Sequence, residues 1–197
     1  MTLCALARGA LVAPTGRRLL ELDLRLGCGK VVVIYGPNGV GKTLLLRRLA
    51  GLGPGKIKGE VWSAKPHFYA PPGDIHLNGV LVREWYWLHG QSIPLVLQEK
   101  AGLGMESLSR GWRRLAGLLA PSRSPARVML LDEPFTGLDD ERGYILARVL
   151  SNAAARGSLV VVAEPTGVAP RVLRLLTRAG SSVTACLARR GGELVCP

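Results

Sequence analysis

Eight consecutive residues, Gly36 to Thr43, have the composition of a loop that binds phosphate groups. In order they are Gly36, Pro37, Asn38, Gly39, Val40, Gly41, Lys42 and Thr43, and they match the pattern G-x-x-x-x-G-K-[ST] at every fixed position. Glycines permit positive φ angles, so the backbone N–H groups can curl around an anion. The pattern predicts that Lys42 reaches the β- and γ-phosphates of a nucleotide and that the Thr43 hydroxyl binds Mg²⁺.

A second group of candidate residues follows an apolar run. Val128–Leu131 leads directly into Asp132 and Glu133. A buried strand that ends in aspartate delivers a hard oxygen ligand to Mg²⁺, usually through water. Glu133 is placed to orient or deprotonate a water that attacks the γ-phosphate. This pattern alone fits any strand with an acidic turn. With a phosphate loop 90 residues earlier, it predicts a nucleotide-binding domain whose catalytic residues are Lys42 and Glu133.

The segments around these residues predict an α/β domain. Val31–Tyr35 is a continuous apolar run, typical of a buried parallel strand, and residues 43–50 have helical composition that stops at Gly51. Strands are also predicted at 128–131 and 159–163, and helices at 141–155 and 171–179. Strands that alternate with helices indicate an α/β domain with a largely parallel central sheet flanked by helices. Together with the phosphate loop and the acidic turn, this predicts a P-loop NTPase fold.

Two regions depart from this alternation. Residues 3–26 predict two strands around the turn Pro14–Gly16, an N-terminal antiparallel β portion. Residues 53–107 are rich in Pro and Gly and hold six of the ten aromatic residues, so we interpret them as an inserted subdomain at the edge of the sheet. Within a single domain of residues 1–197, the predicted parts are 1–34 (β portion and first core strand), 36–52 (phosphate loop and helix), 53–107 (insert) and 108–197 (C-terminal α/β part).

The amino-acid composition indicates what kind of protein this chain is. With 197 residues, 48% apolar and 20% charged, the chain is predicted to be globular. No apolar run approaches the length of a membrane span, and the first residues lack a signal-peptide layout. We therefore expect a cytoplasmic protein that works at a membrane only through a spanning partner. The formal charge of +12 favours either an anionic partner or an Arg-rich solvated surface.

Cysteines and histidines show no metal-binding spacing. The cysteines are Cys4, Cys28, Cys186 and Cys196, and the histidines are His67, His76 and His89. The cysteines are predicted to be free thiols, with a Cys186–Cys196 bridge across a terminal hairpin as the alternative. The histidines are predicted to be surface or packing residues. Arg189–Arg190, just before two glycines, is predicted to be a solvated hairpin tip.

These motifs together resemble the ATP-binding cassette (ABC) ATPases along nearly the whole chain. The family's sequence pattern is matched by residues 35–43 and 131–139, and also by Leu49–Leu52 and Gly59–Val61. The resemblance implies ATP and Mg²⁺ as cofactors. It also implies a second cassette and a transmembrane permease as partners, a peripheral position on the inner face of the cell membrane, and no specific nucleic acid.

The same resemblance places the family's signature at Leu108–Arg114, where Ser109 lies 23 residues before Asp132. In the family, two cassettes pair head to tail, and each signature closes over the nucleotide of the other subunit. This implies that Ser109 and Gly111 contact the partner's nucleotide. It also implies that Gly137–Asp139 is the D-loop, with Asp139 as its acidic residue, and that the arginines at 113 and 114 support the signature helix.

The sequence departs from the family pattern at four places. In the signature, Arg110 replaces a glycine and Trp112 replaces a glutamine. Pro72 stands near the place of the Q-loop glutamine and has no side chain that could reach Mg²⁺ or water. Residues 2–34 contain no aromatic to stack on adenine, so base stacking is expected to be weak or supplied by another group.

The fourth departure is Glu164, at the position of the family's switch histidine. A histidine donates a hydrogen bond to the γ-phosphate, whereas a carboxylate repels it. Two like charges about 4 Å apart cost roughly 4 kcal/mol at an effective dielectric constant near 20. Either Glu164 turns away, or it is protonated, or Arg or Mg²⁺ neutralises it. We predict that the chain binds nucleotide but hydrolyses it slowly on its own.

Three consecutive aromatics, Trp85, Tyr86 and Trp87, predict a contact surface. In the family, the permease contacts lie near the Q-loop and in a helical subdomain before the signature. Only 67 residues separate Lys42 from Ser109, so this inserted subdomain is shortened. At helical spacing the three rings cannot all face inward, so at least one is exposed or covers a partner. Docking onto a transmembrane subunit is our interpretation, and a small satellite core is the alternative.

Three functions follow from the sequence. The first is the ATP-hydrolysing subunit of a membrane transporter. The second is a catalytically weak regulatory subunit in a heterodimer. The third is a soluble non-transport ABC ATPase, suggested by the +12 charge. Against the third, DNA-maintenance members separate the two motifs with long coiled coils and translation members carry two cassettes, and this chain has room for neither.

Overall fold

Two sheets and five helices form the part of the chain described by the structure, a computed structural model covering residues 2–73, 77–123 and 125–196. The strands are β1 (Leu3–Val12), β2 (Arg18–Gly27), β3 (Val31–Gly36), β4 (Lys56–Ser63), β5 (His67–Ala70), β6 (Val128–Asp132), β7 (Leu159–Pro165), β8 (Val183–Ala188) and β9 (Leu194–Val195). The helices are α1 (Lys42–Leu49), α2 (Val82–Leu88), α3 (Arg110–Ser122), α4 (Asp140–Ala155) and α5 (Ala169–Arg178). Within the described ranges, no helix has both the length and the apolar character needed to cross a membrane.

The central sheet has six strands in the order β5-β6-β7-β3-β8-β9, with β5 to β8 parallel and β9 antiparallel. Both faces of its central strands are buried. On β3, Val31 and Val33 pack in a core with α3, α4 and α5, whereas Val32 and Ile34 pack in a second core with α1 and the N-terminal sheet. Burial on both faces explains the uninterrupted apolar runs. The predicted α/β fold with a largely parallel sheet is confirmed.

The second sheet has the antiparallel order β2-β1-β4, and the strand pair predicted at residues 3–26 is confirmed. The interpretation of 53–107 as one irregular insert is wrong in its first part. There β4 pairs with β1 and β5 pairs with β6. Most positions of β4 are exposed, so it lacks the apolar alternation that marks a strand in sequence. The later part, with α2 and two short 3-10 segments at Leu95–Lys100 and Met105–Ser107, lies outside both sheets.

The structure contains two disulfides, so the prediction of free thiols is wrong. Cys186–Cys196, the alternative from the sequence, ties β8 to the residue after β9, with its Cα atoms 4.3 Å apart. Cys4–Cys28 was not anticipated, and its Cα atoms lie 5.0 Å apart. Their spacing in sequence carries no signal, because the antiparallel pairing of β1 with β2, which sets Leu3 opposite Gly27, brings the two residues together.

The aromatic run on α2 divides between core and surface. Tyr86 is fully buried, Trp85 packs against the core while partly buried, and Trp87 is 77% exposed. The prediction that at least one ring is exposed is confirmed. His89 packs edge-on against Trp85, with ring centroids 4.4 Å apart, as a packing residue would. His76 lies outside the described residues.

Candidate functional site

Three neighbouring strands of the central sheet end at one edge and bring the candidate residues there. β3 ends at Gly36, β6 ends at Asp132, and Glu164 is the penultimate residue of β7. Tyr35 lies beside Glu164, and Asp132 lies beside Ala163. In open α/β sheets, ligands bind outside the carboxyl ends of the strands. The phosphate loop and the acidic turn after β6 therefore share the edge of the sheet where such a site is expected.

Glycines shape the phosphate loop in two different ways. Gly39 and Gly41 have φ angles of 75° and 115°, which side chains rarely adopt. Gly36 has an ordinary φ, but a Cβ atom there would collide with the Ala188 carbonyl oxygen on β8. Gly41 directly precedes α1, so the free N–H groups and positive dipole end of that helix point into the loop.

Lys42 is the first residue of α1 and is only 6% exposed. Its Nζ donates to the carbonyl oxygens of Gly36 at 2.7 Å and of Pro37 at 3.0 Å. Burial lowers the pKa of Lys42, while Glu133, Asp132 and Glu164 counteract this. The ammonium group is thus held inside the loop, among acidic neighbours.

Asp132 is 1% exposed, and neither carboxylate oxygen has a hydrogen-bond partner among the described residues. Burial raises the pKa of Asp132, and the nearby Thr43 hydroxyl opposes this rise, although the two groups do not form a hydrogen bond of normal geometry. A buried carboxylate without partners is unfavourable unless another group compensates it. Hydroxyl and carboxylate oxygens are the hard donors that Mg²⁺ prefers, so these residues fit a magnesium ion.

A cavity of about 470 Å³ opens beside the phosphate loop, within the range of roughly 300–1,000 Å³ typical of small-molecule sites. Lys42, Thr43 and Glu133 line it. Its lining, taken over the described residues, contains no aromatic ring. Arg17, from the turn between β1 and β2, and Leu19, near the start of β2, line the cavity instead. Sequence reasoning missed both residues.

A second cavity of about 400 Å³ adjoins the first and shares Arg17 with it. Arg18 and Arg190 add further positive charge to its walls. Arg190, in the β8–β9 turn, remains exposed, but its Nη2 lies 3.5 Å from the Asn38 carbonyl oxygen. The interpretation of Arg189–Arg190 as a solvated tip is therefore incomplete, because Arg190 also contacts the phosphate loop at Asn38.

Glu133 is held in a left-handed backbone conformation, with φ 52°. For a residue with a side chain this costs about 1–2 kcal/mol, so the surroundings must compensate. Its N–H donates to the Ala163 carbonyl oxygen on β7 at 2.8 Å. Its side chain is half-buried and lines the cavity, where it could act on a water beside a bound phosphate.

Arg114 contacts the same turn from α3. Its Nε donates to the Pro134 carbonyl oxygen at 3.3 Å, and its two Nη groups donate to the carbonyl oxygens of Glu133 and Gly73. The sequence suggested that Arg114 supports the signature helix. The structure adds a link from that helix to the acidic turn after β6 and to the loop after β5, for which the sequence carries no separate signal.

Glu164 is fully buried and points into the protein rather than towards the cavity. Its Oε1 accepts a hydrogen bond from the Phe135 N–H at 2.9 Å, and its Oε2 has no partner among the described residues. Burial raises the pKa of Glu164 to about 8. Of the three outcomes posed by the sequence, Glu164 both turns away and favours its protonated form near neutral pH.

The signature residues lie away from this cavity. Ser109 precedes α3 as an exposed N-cap residue whose side chain makes no cap hydrogen bond, and Gly111 follows in the first turn. Neither belongs to the described lining of the 470 Å³ cavity. Asp139 caps α4 by accepting from the Arg142 N–H at 2.9 Å. The roles of these three residues towards a partner's nucleotide stay predictions.

The position of the expected Q-loop glutamine follows β5. Pro72 is exposed there, and its ring carries no group that donates or accepts a hydrogen bond. The neighbouring Gly73 carbonyl accepts from Arg114. A backbone carbonyl of this segment, rather than a glutamine side chain, therefore connects it through Arg114 to the acidic turn after β6.

Comparisons with known proteins identify similar sequences. A family profile described as ABC transporter matches residues 19–77. The cytochrome c biogenesis ATP-binding export protein CcmA of Paracoccus denitrificans is 34% identical over 173 residues, which cover 81% of this chain and 78% of the relative. The protein of the same description from Nitrobacter winogradskyi is 34% identical, with 81% and 92% covered. The vitamin B12 import ATP-binding protein BtuD of Vibrio atlanticus is 29% identical, with 76% and 73% covered.

Solved structures share the fold. The ATP-binding subunit of an ABC transporter matches with a TM-score of 0.76 at 16% identity, covering 100% of this chain and 90% of that chain. A nucleotide-free ATP-binding cassette from an ABC transporter matches with a TM-score of 0.70 at 14% identity, covering 98% and 90%. At these identities the likeness shows the fold, and the predicted cassette architecture is confirmed.

Proposed function

The chain belongs to the family of ABC transporter ATP-binding subunits, and from this premise we propose that it binds ATP with Mg²⁺ at the phosphate loop and hydrolyses ATP slowly on its own. One observation carries the proposal. The side chain at 164 is a buried carboxyl that accepts from Phe135 and presents no donor to the cavity. Loss of one preorganised donor to a transition state typically costs about 10²–10³ in rate. Slow turnover is therefore expected despite Lys42 and Glu133.

The described residues support a division of tasks at this site. The N–H groups of the loop and of the start of α1 would hold the phosphates. Lys42 would exchange its carbonyl partners for β- and γ-phosphate oxygens, and Thr43 and Asp132 would hold Mg²⁺. That ion, when bound, neutralises charge on the phosphates. Glu133 would orient a water and accept its proton.

We infer that a second cassette completes the nucleotide site. The exposed Ser109, whose side chain is not used to cap its own helix, supports contact of Ser109 and Gly111 with a partner's nucleotide. Asp139 would lie in the same interface. A heterodimer with a complete cassette is one natural assembly, because a composite site can tolerate one weak half.

We also propose that α2 docks onto a transmembrane permease, which would place the chain on the inner face of the cell membrane. Trp87 and Leu88 are 77% and 63% exposed on this helix, and exposed apolar patches commonly mark partner surfaces. Tyr86, buried on the opposite side, anchors the helix to the core.

A catalytically weak regulatory subunit is the second candidate function. It is favoured by Glu164 and Pro72 together, because both remove polar groups that the family pattern would place near the γ-phosphate and Mg²⁺. Turnover measured with and without candidate partners separates the two functions. A transporter ATPase gains activity with its partners, whereas a regulatory subunit raises the activity of the other cassette only.

The test is to measure ATP affinity by calorimetry and turnover for the native chain, Lys42→Ala and Glu164→His, with the exposed-site control Glu60→His. We expect native ATP binding with slow turnover, and loss of affinity in Lys42→Ala. We expect at least about a tenfold gain in Glu164→His, because imidazole can accept from Phe135 with one nitrogen and donate to phosphate with the other. Brisk Lys42-dependent turnover by the native chain alone would contradict slow hydrolysis, and absence of ATP uptake would contradict the site itself.

A further inference from the structure

We propose that Glu164 is a positioning residue for Glu133: by accepting the Phe135 amide hydrogen bond, it holds the left-handed turn that directs the Glu133 carboxylate into the cavity. The proposal rests on the proposed function, because it concerns how the hydrolytic carboxylate of that site is held. It assigns to position 164 a role in hydrolysis that needs no contact with phosphate.

Two consecutive residues of β7 hold the turn through its N–H groups. The Ala163 carbonyl oxygen accepts from the Glu133 N–H at 2.8 Å, and the Glu164 Oε1 accepts from the Phe135 N–H at 2.9 Å. Phe135 is fully buried, so its amide has no access to water as a substitute acceptor. A buried amide without an acceptor is unfavourable, and the turn would have to shift to relieve it.

The turn requires such support because Glu133 has a φ angle of 52°. A non-glycine residue stays in this region only when its surroundings over-determine it. If the contact at Phe135 were lost, Glu133 could relax towards ordinary φ values. That relaxation would rotate its side chain away from the cavity that it lines.

A second element holds the same turn through its carbonyl groups. Arg114 of α3 donates to the carbonyl oxygens of Glu133 and Pro134. The N–H groups of the turn are therefore bound by β7 and its carbonyl groups by α3. The Glu133 carboxylate is the part of the turn that remains directed at the cavity, so its aim depends on both sets of contacts.

The test compares two substitutions of nearly equal volume in the full chain. Glu164→Gln keeps an acceptor oxygen for the Phe135 amide, whereas Glu164→Met fills nearly the same space with a thioether sulfur that is only a weak acceptor. For each variant, kcat for Mg-ATP hydrolysis, the ATP Kd by calorimetry and the melting temperature are measured. Glu164→Ser, which is too short to reach Phe135, gives the same comparison should the Met variant fail to fold.

We expect the Gln variant to keep kcat within about threefold of the native chain. The Met variant should lose about 10- to 100-fold in kcat, because a catalytic group misplaced by about 1 Å costs that much. Its ATP Kd should stay within about threefold, since the phosphate loop is untouched. A purely structural role would instead lower stability without a selective loss of kcat.

Native kcat in a folded Met or Ser variant would overturn the proposal, and so would equal losses in the Gln and Met variants or a parallel loss of ATP affinity. A native chain without measurable turnover would overturn it too, because there would be no reaction for Glu164 to support. The proposed function is tested by two other measurements: the ATP Kd of the native chain and the kcat of Glu164→His. If native turnover is slow, increases in Glu164→His and is unchanged in Glu164→Met, only this inference is wrong and the proposed function stands.

Discussion

At the scale of single residues, the chemistry of Glu164 depends on its burial. Burial is the largest effect and raises the pKa of Glu164 to about 8. The negative charges of Glu133 and Asp132 also raise this pKa, whereas the Phe135 amide and Arg114 lower it. The carboxyl group therefore enters the folded state preferentially with its proton. A neutral Glu164 beside Glu133 and Asp132 avoids a third negative charge where phosphates are expected to bind.

This protonation predicts a pH dependence of stability. The folded-state pKa of about 8 lies above the ordinary value of 4.5, so folding takes up a proton between these values. The contribution of Glu164 is fully present below about pH 4.5 and is lost as pH rises through about 8. Relative to Glu164→Gln, the native chain should lose roughly 3–5 kcal/mol of unfolding free energy between pH 4.5 and 9. Urea titrations of both proteins across this range test it, and parallel pH curves would contradict it.

At the scale of elements, α3 contacts α4 and the 3-10 segment Leu95–Lys100 through the ring of Trp112. Trp112, which stands in place of a glutamine, lies between Lys100 and Arg142, with each cationic group 4.6 Å from its ring centroid. Arg142 also pairs with Asp139. The ring of Trp112 thus makes cation–π contacts that connect α3 to the first turn of α4.

The disulfides stabilise the N-terminal sheet and the terminal hairpin. Cys4 and Cys28 are 24 residues apart in sequence, and a cross-link that closes such a loop contributes about 3 kcal/mol. Cys4→Ser/Cys28→Ser should lower the unfolding free energy by about that amount, as measured by denaturant titration. The matched pair Cys186→Ser/Cys196→Ser closes a shorter loop of 10 residues and should cost slightly less. Chemical reductant should then destabilise the native chain and leave a variant lacking all four cysteines unchanged; equal stability of native and reduced chains would contradict the prediction.

At the scale of the whole molecule, the central sheet separates two apolar cores. The sheet edge that carries residues 36–43 and Asp132 and the exposed face of α2 lie on different elements. The helices α3, α4 and α5 cover one face, while α1 and the antiparallel sheet cover the other. A partner docked on α2 would contact the exposed Trp87 and Leu88, which are not part of the cavity lining beside residues 36–43. Binding of a permease and binding of ATP should therefore be separable by mutation.

Trp87→Ser should reduce the amount of integral-membrane protein recovered with the tagged chain from detergent extracts, because it removes the 77% exposed ring on α2. ATP affinity should remain at the native value. Trp62→Ser, which removes a 48% exposed ring from β4 in the other sheet, is the matched control and should leave recovery unchanged. Equal recovery with Trp87→Ser would favour a local packing role for the aromatics of α2.

The sequence alone determined the α/β class, the phosphate loop and the acidic turn after β6. These features are local: the loop conformation depends on glycines within eight residues, and Asp132 and Glu133 are adjacent in the chain. Helix and strand positions near them could be predicted for the same reason, since apolar periodicity and end signals are read over short windows. The α1 helix, expected at residues 43–50, was found at Lys42–Leu49.

The packed fold was needed to establish which way Glu164 points, which cysteines pair and which residues hold the acidic turn after β6. Glu164 accepts a hydrogen bond from Phe135, which lies 29 residues earlier in the sequence, and Arg114 donates one to Glu133, which lies 19 residues later. Cys4 and Cys28 form a disulfide between segments joined by antiparallel strand pairing. Such contacts follow from strand register and from burial of side chains that have no periodic or motif signal. Burial also sets the protonation of Glu164, because the cost of desolvating a carboxylate depends on the packed surroundings and not on the neighbouring residues in the chain.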